Sequence, residues 1–247
     1  MAVMDSVIVG KTDEPPRILI YGSEGIGKST FASEAPKPIF LQTEDGLSQI
    51  DCAKFPLAKS LDEVFAYLKG VRDEEHEYQT LVIDSLDWLE QLIFEQVCRD
   101  YGCKSIEKAD GGYGHGYQHA KDYWRKIVEI LDGIRKRGMI IILVAHSKEE
   151  TYRDPEHPDY DRNAPQLNKL AAHLLCGWVD AIFFATRRMR YDSETGKASP
   201  VGANGGERII RACGQPACVA KSRYAIDVDI PLKWSAFVEA VKAAGKN

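Results

Sequence analysis

One eight-residue motif constrains the fold of this 247-residue chain more than any other feature. Residues 22–29 read GSEGIGKS and match the pattern G-x-x-x-x-G-K-[ST] at every fixed position. The motif follows an apolar run at residues 17–21 (RILIY) and precedes a stretch compatible with a helix. A strand, a glycine-rich loop and a helix N-terminus in this order form a cradle of backbone N–H groups for phosphate. The chain is therefore predicted to bind a nucleotide.

Each position of this loop has a predicted role. The glycines let the backbone approach the phosphates, and Lys28 is expected to span the β- and γ-phosphates of ATP. Ser29 is expected to hold Mg²⁺. The predicted cofactors are thus ATP and Mg²⁺. The predicted nucleotide-binding residues are Gly22, Ser23, Glu24, Gly25, Ile26, Gly27, Lys28, Ser29 and Thr30.

A carboxylate follows an apolar strand further along the chain. Asp84 ends the run 80–84 (TLVID), just before a helical pattern begins. In a chain with an upstream phosphate loop, this is the Walker-B position, which holds Mg²⁺ together with Ser29. Two alternatives stay open: Asp84 caps the following helix, or Asp87 on that helix takes the metal role.

Hydrolysis also needs a group that activates or orients water. The strand at residues 38–42 is followed by Glu44 and Asp45, and acids at the carboxyl end of a strand face the same rim as the phosphate loop. Either acid can be the base, and Glu44 is the first choice. His146 ends the strand at 139–145 and is expected either to contact the γ-phosphate or the water, or to be structural.

Apolar runs alternate with helical patterns along the chain, which predicts an α/β fold with a mostly parallel central sheet flanked by helices. After residue 145 the pattern changes to a polar stretch (149–165), a helix and short strands that form a C-terminal antiparallel hairpin. The predicted domains are an N-terminal extension (1–16) and one large domain (17–247). The predicted strands are 17–21, 38–42, 80–84, 139–145, 179–186, 207–212 and 219–221, and the predicted helices are 61–69, 86–101, 117–137, 166–176 and 233–244.

The composition is that of an ordinary globular protein, with 44% hydrophobic and 28% charged residues. The apolar run at 139–145 is far too short to cross a bilayer. The N-terminus lacks the basic start and apolar centre of a signal peptide. We therefore expect no membrane partner and a cytoplasmic location.

The charge is unevenly distributed. Residues 1–100 contain 9 Lys or Arg and 19 Asp or Glu, whereas residues 187–223 contain 8 and 3. A basic segment on an acidic body is compatible with a polyanionic partner, and equally with a solvated basic hairpin.

Six cysteines are present, and two pairs share a four-residue gap: Cys98 with Cys103, and Cys213 with Cys218. A zinc site needs four convergent ligands. The spacing alone leaves zinc binding and reduced thiols both open.

Taken together, these motifs resemble the RecA-like branch of P-loop ATPases. The segment FLQTEDGL (40–47) resembles its strand with a catalytic glutamate, VIDS (82–85) its Walker B, and LVAHS (143–147) its third motif, with His146 in place of the usual Gln or Asn. AKSRY (220–224) resembles the K-N-R-F element of RadA-type and hexameric-helicase proteins, with Ser222 replacing Asn.

The phosphate loop, the GGYGHGY loop at 111–117 and the KSRY element together look like phage-encoded RecA-like ATPases linked to single-strand annealing and recombination. This likeness implies a RecA-like P-loop NTPase core in the host cytoplasm. It also implies a homo-oligomer, ring or filament, in which Lys221 and Arg223 reach the γ-phosphate bound by a neighbouring subunit. Their spacing on a predicted strand puts both side chains on one face, which also fits a solvated strand end or an intrachain ion pair.

The resemblance further implies single-stranded DNA as a partner, bound by the loops at 147–166 and 187–206. The second loop is the more basic, and its predicted DNA-binding residues are Arg187, Arg188, Arg190, Tyr191 and Lys197. Two other functions remain: a nucleotide-switched assembly factor or helicase loader that binds protein, and a small-molecule kinase. The kinase is disfavoured because the sequence has no lid-like Arg cluster.

Overall fold

The alternating apolar runs and helical patterns of the sequence fold into one α/β unit. A computed structural model describes residues 3–10, 12, 14–203 and 205–245. The strands are β1 (Arg17–Gly22), β2 (Pro38–Gln42), β3 (Ala53–Lys54), β4 (Thr80–Asp84), β5 (Ile140–Tyr152), β6 (Tyr160–Pro165), β7 (Ala181–Arg187), β8 (Met189–Asp192), β9 (Lys197–Pro200), β10 (Arg208–Arg211), β11 (Lys221–Ser222) and β12 (Ile230–Pro231). The helices are α1 (Lys28–Ser33), α2 (Leu61–Asp73), α3 (Leu86–Asp100), α4 (His115–Lys136), α5 (Lys169–Trp178) and α6 (Trp234–Ala244), with short 3-10 helices at Val3–Ser6 and Ile106–Gly111.

The central sheet has the strand order β12-β10-β7-β1-β5-β4-β2-β3, with β6 paired to β5 and β11 paired to β7. The strands from β7 to β3 in this order are all parallel. β10, β11 and β12 add antiparallel partners at one side. The strand that leads into the phosphate loop, β1, therefore lies between β5 and β7, and its carboxyl end meets theirs.

Helices cover both faces of the sheet. Helices α2 to α5 pack on one face around buried residues such as Trp124 and Leu143. Helices α1 and α6 pack on the other, where the Phe31 ring lies 5.7 Å from Trp234 and 6.5 Å from Phe183. Because the central strands are buried on both faces, their sequences are continuous apolar runs.

Local signals set the helix starts. Ser60 precedes α2, and its hydroxyl accepts a hydrogen bond from the backbone N–H of Glu63 at 3.2 Å. Asn168 precedes α5 and accepts from the N–H of Leu170 at 3.0 Å. Side chains that satisfy the first N–H groups of a helix are the expected caps.

The predicted fold is confirmed: the sheet is mostly parallel, helices flank it, and an antiparallel hairpin follows in the C-terminal part. The predicted helices and strands are present with boundaries shifted by a few residues. The GGYGHGY segment contains the end of a 3-10 helix and the start of α4, with Tyr113 fully exposed between them.

One strand boundary and one predicted loop are wrong. The sequence pattern predicts that the fourth strand ends at residue 145 and that residues 149–165 form a loop. Instead β5 continues to Tyr152 and pairs antiparallel with β6. This extension is polar and held by cross-strand pairs such as Arg162 with Glu150 at 2.8 Å, so a search for apolar runs does not detect it.

The second predicted DNA-binding loop, at 187–206, contains a separate two-stranded ribbon of β8 and β9. Residue 204 of that segment lies outside the described residues. Every residue of both strands is exposed. No helix within the described residues combines the length and apolarity needed to span a membrane.

Candidate nucleotide-binding site

The phosphate loop joins β1 to α1 in a backbone conformation that glycine permits. Gly22 lies so close to β7 that a Cβ there would overlap the carbonyl oxygen of Ala185. Gly27 has φ +110° directly before α1. The glycines of the motif are thus required by close approach and by a left-handed turn.

The loop forms one wall of a cavity of about 330 Å³ at the carboxyl end of the parallel strands. Three elements predicted from sequence, the phosphate loop, the β2 end and the β4 end, meet here, as does the β5 strand. Its lining residues are Glu24, Gly25, Gly27, Lys28, Ser29, Thr30, Glu44, Gly46, Leu47, Ile50, Asp84, His146 and Arg208. Of the predicted nucleotide-binding residues, Gly22, Ser23 and Ile26 lie outside this lining.

Lys28 is the buried cation of the cavity. Its Nζ donates to the carbonyl oxygens of Gly22 at 2.9 Å and Ser23 at 3.0 Å. Burial lowers the pKa of Lys28, while the charges of Asp84 and other nearby acids oppose that shift. The ammonium therefore lies on the loop that the motif predicts for phosphate.

Ser29 and Asp84 form the predicted metal-binding pair. The Ser29 hydroxyl donates to Asp84 Oδ2 at 2.6 Å. Burial raises the pKa of Asp84, against the hydrogen bond from Ser29. A hydroxyl and a carboxylate are the hard oxygen donors that Mg²⁺ prefers, so the pair fits this ion. The N-cap of α3 is Ser85, which argues against the alternative that Asp84 serves as its cap.

Glu44 faces the same cavity from the loop after β2. Its Oε2 accepts from the Ser85 hydroxyl at 3.2 Å and lies 3.9 Å from His146 Nε2. Asp45, the other candidate base, is exposed and lies outside the lining. The geometry brings Glu44, His146 and Asp84 together and leaves Asp45 at the surface.

His146 is held by Asp87, a partnership that sequence reasoning did not identify. Its Nδ1 lies 2.8 Å from Asp87 Oδ2, and its backbone N–H donates to Oδ1 at 3.0 Å. The hydrogen bond with Asp87 raises the pKa of His146. Burial would raise the pKa of Asp87, but the hydrogen bonds from His146 bring it below its usual value. Asp87 therefore positions the imidazole, and the alternative that it takes the metal role stays a prediction.

Arg208 is the lining residue that sequence reasoning missed altogether. It begins β10, about 180 residues after the loop it faces, and its Nη1 lies 3.1 Å from where a Cβ of Gly27 would stand. No motif marks it, because its position depends on how β10 pairs with β7.

Lys221 and Arg223 lie at the opposite end of the sheet. Lys221 pairs in register with Ile182, near the start of β7, and its Nζ donates to the carbonyl oxygen of Cys176. Arg223 Nη1 lies 3.1 Å from Asp180 Oδ1. Neither residue can reach the phosphate loop of its own chain from there, and a role toward a neighbouring subunit stays a prediction.

The predicted DNA-binding residues fall into two groups. Arg187 donates to the carbonyl oxygen of Gly205, and Arg188 pairs with Glu207 at 3.0 Å, so both brace the root of the ribbon. The others, Arg190, Tyr191 and Lys197, are exposed on β8 and β9. By register, Arg190 and Lys197 share one face of the ribbon and Tyr191 lies on the other.

Part of this chain is similar in sequence to a prophage-derived protein. The chain is 29% identical over 147 residues to the SPbeta prophage-derived uncharacterized protein YorG of Bacillus subtilis (strain 168). That match covers 58% of this chain and 44% of the relative, so the chain spans less than half the length of the curated relative it matches.

A KaiC-like protein from the hyperthermophilic archaeon Pyrococcus horikoshii OT3 is similar in structure, with a TM-score of 0.46 and 12% identity over 88% of this chain and 85% of the other. The sequence model of the AAA domain family matches residues 14–224, which include the phosphate loop, Asp84, His146 and Arg208. The chain therefore belongs to the AAA domain family of P-loop ATPases.

Proposed function

We propose that this protein is a Mg²⁺-dependent ATP hydrolase that acts on single-stranded DNA. The proposal of a hydrolase is based on one observation. Lys28, the Ser29–Asp84 pair and Glu44 line a single cavity at the end of β1. Cation, metal ligands and carboxylate base are the groups that phosphoryl transfer to water requires.

Each residue has a part in this chemistry. Glu44 accepts the proton of the attacking water, and His146, oriented by Asp87, lies beside Glu44 to orient that water or the γ-phosphate. Lys28 binds the phosphate chain. Ser29 and Asp84 would hold Mg²⁺, which supplies charge stabilisation to the phosphates.

The DNA proposal is based on the ribbon of β8 and β9. Arg190 and Lys197 are exposed on one face, which suits phosphate contacts along a single strand. Tyr191, 70% exposed on the other face, offers a ring for base stacking. Asp192 lies opposite Lys197 and weakens that cation's contribution.

Salt dependence of binding tests the ribbon. The variant with Arg190→Ala and Lys197→Ala should bind an oligo(dT) more weakly, and the slope of log affinity against log salt should fall by about 1.4, or 0.7 for each lost contact. Arg125→Ala, which removes an exposed cation of α4, is the matched control. An unchanged slope in the double variant would remove DNA from this surface.

A second candidate function is a nucleotide-switched assembly factor that binds protein. Five apolar residues of the N-terminal segment are 58–91% exposed, which fits a protein partner or another copy: Val3, Met4, Val7, Ile8 and Val9. The two functions separate in one assay of ATP turnover with and without oligo(dT). Stimulation supports the DNA-dependent ATPase, and an unchanged rate supports the assembly factor.

We also propose that the active site is shared between subunits of a homo-oligomer, with Lys221 and Arg223 directed to a neighbour's γ-phosphate. Arg223 is 59% exposed in its side chain despite its pair with Asp180. Arg223→Ala protomers should bind ATP without hydrolysing it, and mixing them with Lys28→Ala protomers should restore turnover. Zero turnover at all mixing ratios, with mixed oligomers shown to form, would rule out the shared site.

The biological setting is proposed from the relative's name and the motifs. A prophage-derived relative supports a phage protein in recombination or replication, working in the host cytoplasm. Stimulation of strand annealing by the purified chain would support recombination, and its absence would favour replication or loading.

A further inference from the structure

We propose that Arg208 is a second phosphate-binding cation, supplied by the same chain as Lys28. It would contact the phosphate chain of the bound nucleoside triphosphate across the cavity from the loop. This inference rests on the proposed ATPase function, and deepens it by adding a residue to the site.

Strand register places Arg208 at the phosphate end of the sheet. Gly22, the last residue of β1, pairs with Ala185 of β7, and Ala185 pairs with Ile210 of β10. Because β10 runs antiparallel to β7, its first residue extends toward the carboxyl ends of β1 and β7. Arg208 therefore lies two residues beyond Ile210 in the direction of the loop.

The alternation of strand side chains places Arg208 on the correct face. Residues two apart in a strand share a face, so Arg208 lies on the face of Ile210. Ile210 belongs to the core that contains Phe31 of α1. The guanidinium thus projects toward the α1 side, where Nη1 stands 3.1 Å from the position of a Gly27 Cβ.

The charges around Arg208 leave it available for a ligand. Within the described residues its exposed side chain forms no salt bridge, unlike Arg211 on the same strand, which lies 4.0 Å from Asp229. The cavity also holds the acids Glu24, Glu44 and Asp84. A triphosphate in such a site is better matched by two cations than by Lys28 alone, and a planar guanidinium can bind two phosphate oxygens at once.

Nucleotide titrations test the assignment. Arg208→Ala should weaken binding of ATP by about tenfold or more, the typical effect of losing a hydrogen bond to a charged group. Adenosine, which lacks phosphate, should compete with a fluorescent adenosine analogue equally well in variant and wild type. Arg208→Lys should fall between the two, because it keeps the charge but lacks the fork. Arg125→Ala is the control for the loss of one exposed cation.

Mixing of protomers tests whether Arg208 acts within its own chain. Arg208→Ala mixed with Lys28→Ala should give no rescue of turnover, because no chain then carries both cations. Rescue in mixed oligomers would overturn the cis assignment.

Three binding results would overturn the proposal: unchanged ATP affinity in Arg208→Ala, an equal loss for adenosine and ATP, or an equal loss in Arg125→Ala. Lys28→Ala, measured alongside, distinguishes a failure of the Arg208 inference from a failure of the proposed ATPase function. If it loses ATP binding while Arg208→Ala does not, only this inference fails. If Lys28→Ala binds ATP as wild type does, the proposed function fails and this inference with it.

Discussion

The two ends of the parallel sheet handle charge in opposite ways. At the amino end, the buried carboxylate of Asp180 is surrounded by Arg17, Arg135 and Arg223. At the carboxyl end, the charged groups surround a cavity of about 330 Å³ and face open space as well as one another. Charged side chains that pair with one another hold strands and helices together, whereas charged side chains that line a cavity can bind a ligand.

The amino-end cluster shows what a structural role looks like. Asp180 accepts from the Arg17 backbone N–H at 3.0 Å and from its side chain at 2.8 and 3.1 Å. Arg135 reaches the same carboxylate at 3.4 Å and also pairs with Glu14 at 2.7 Å. These contacts join the start of β1, the end of α4 and the residue before β7, so this cluster serves stability.

The largest expected effect is at the carboxyl end. Glu44→Gln should keep ATP binding but lower turnover by about 10²–10⁴-fold, because the amide cannot accept the proton of the water. ATP binding and steady-state turnover, measured on the same preparation, check this. Asp45→Asn is the matched control and should retain turnover. If Asp45→Asn loses turnover and Glu44→Gln does not, the neighbouring acid is the base.

The next effect is at the amino end and concerns stability. Asp180→Asn should lower the free energy of unfolding by about 3–5 kcal/mol, because Arg17 and Arg135 lose the buried carboxylate to which both are paired. Burial would raise the pKa of Asp180, but the hydrogen bonds and charge of Arg17 hold that pKa below its usual value. Its stabilisation is therefore present above the ordinary pKa and is lost as pH falls through the depressed value.

Denaturant unfolding at several pH values checks this prediction. The difference in the free energy of unfolding between wild type and Asp180→Asn should be largest at pH 7 and should become smaller in acid. ATP binding well below the melting temperature should stay near that of the wild type, because the phosphate loop lies at the other end of the sheet. A large loss of ATP affinity in a folded Asp180→Asn variant would contradict the division of roles between the two ends.

A smaller effect comes from Glu90, a buried acid beside the nucleotide site. Its carboxylate accepts from the backbone N–H of Asn168 at 2.8 Å, yet burial raises its pKa to about 7. Stability from a raised acid pKa is full below its ordinary value and is lost as pH rises through 7. Wild type should thus lose up to about 3 kcal/mol relative to Glu90→Gln between pH 5 and 9. If the free energy of unfolding changed equally with pH in wild type and Glu90→Gln, the prediction would be contradicted, because Glu90 would not titrate in this range.

The sequence predicted the carboxyl end well, because its chemistry is local. A phosphate loop, Glu44 after β2, Asp84 at the end of β4 and His146 on β5 each follow an apolar run, and parallel strands bring such ends together. Long-range pairing hid the rest. The sequence shows that Asp87 is an acid, but it does not show the hydrogen bonds with His146, because the two residues are 59 positions apart. Arg208 depends on the antiparallel register of β10.

The amino end was harder for the same reason. Nothing near Asp180 in sequence marks it as the partner of Arg17, which is 163 positions away. Lys221 and Arg223 matched a motif, but only the pairing of β11 with β7 reveals which end of the sheet they occupy. The polar extension of β5 after residue 146 and its partner β6 carry no apolar run, so the sequence pattern predicts a loop there.

The most direct test of the central claim is ATP turnover by Lys28→Ala beside Lys37→Ala. Lys28 lies buried in the phosphate loop, whereas Lys37 is an exposed cation paired with Glu77 at 2.9 Å. We predict that Lys28→Ala loses Mg²⁺-dependent turnover while remaining folded, and that Lys37→Ala keeps the wild-type rate. Equal turnover in Lys28→Ala and wild type would contradict the assignment of the cavity at the carboxyl end as the site of ATP hydrolysis.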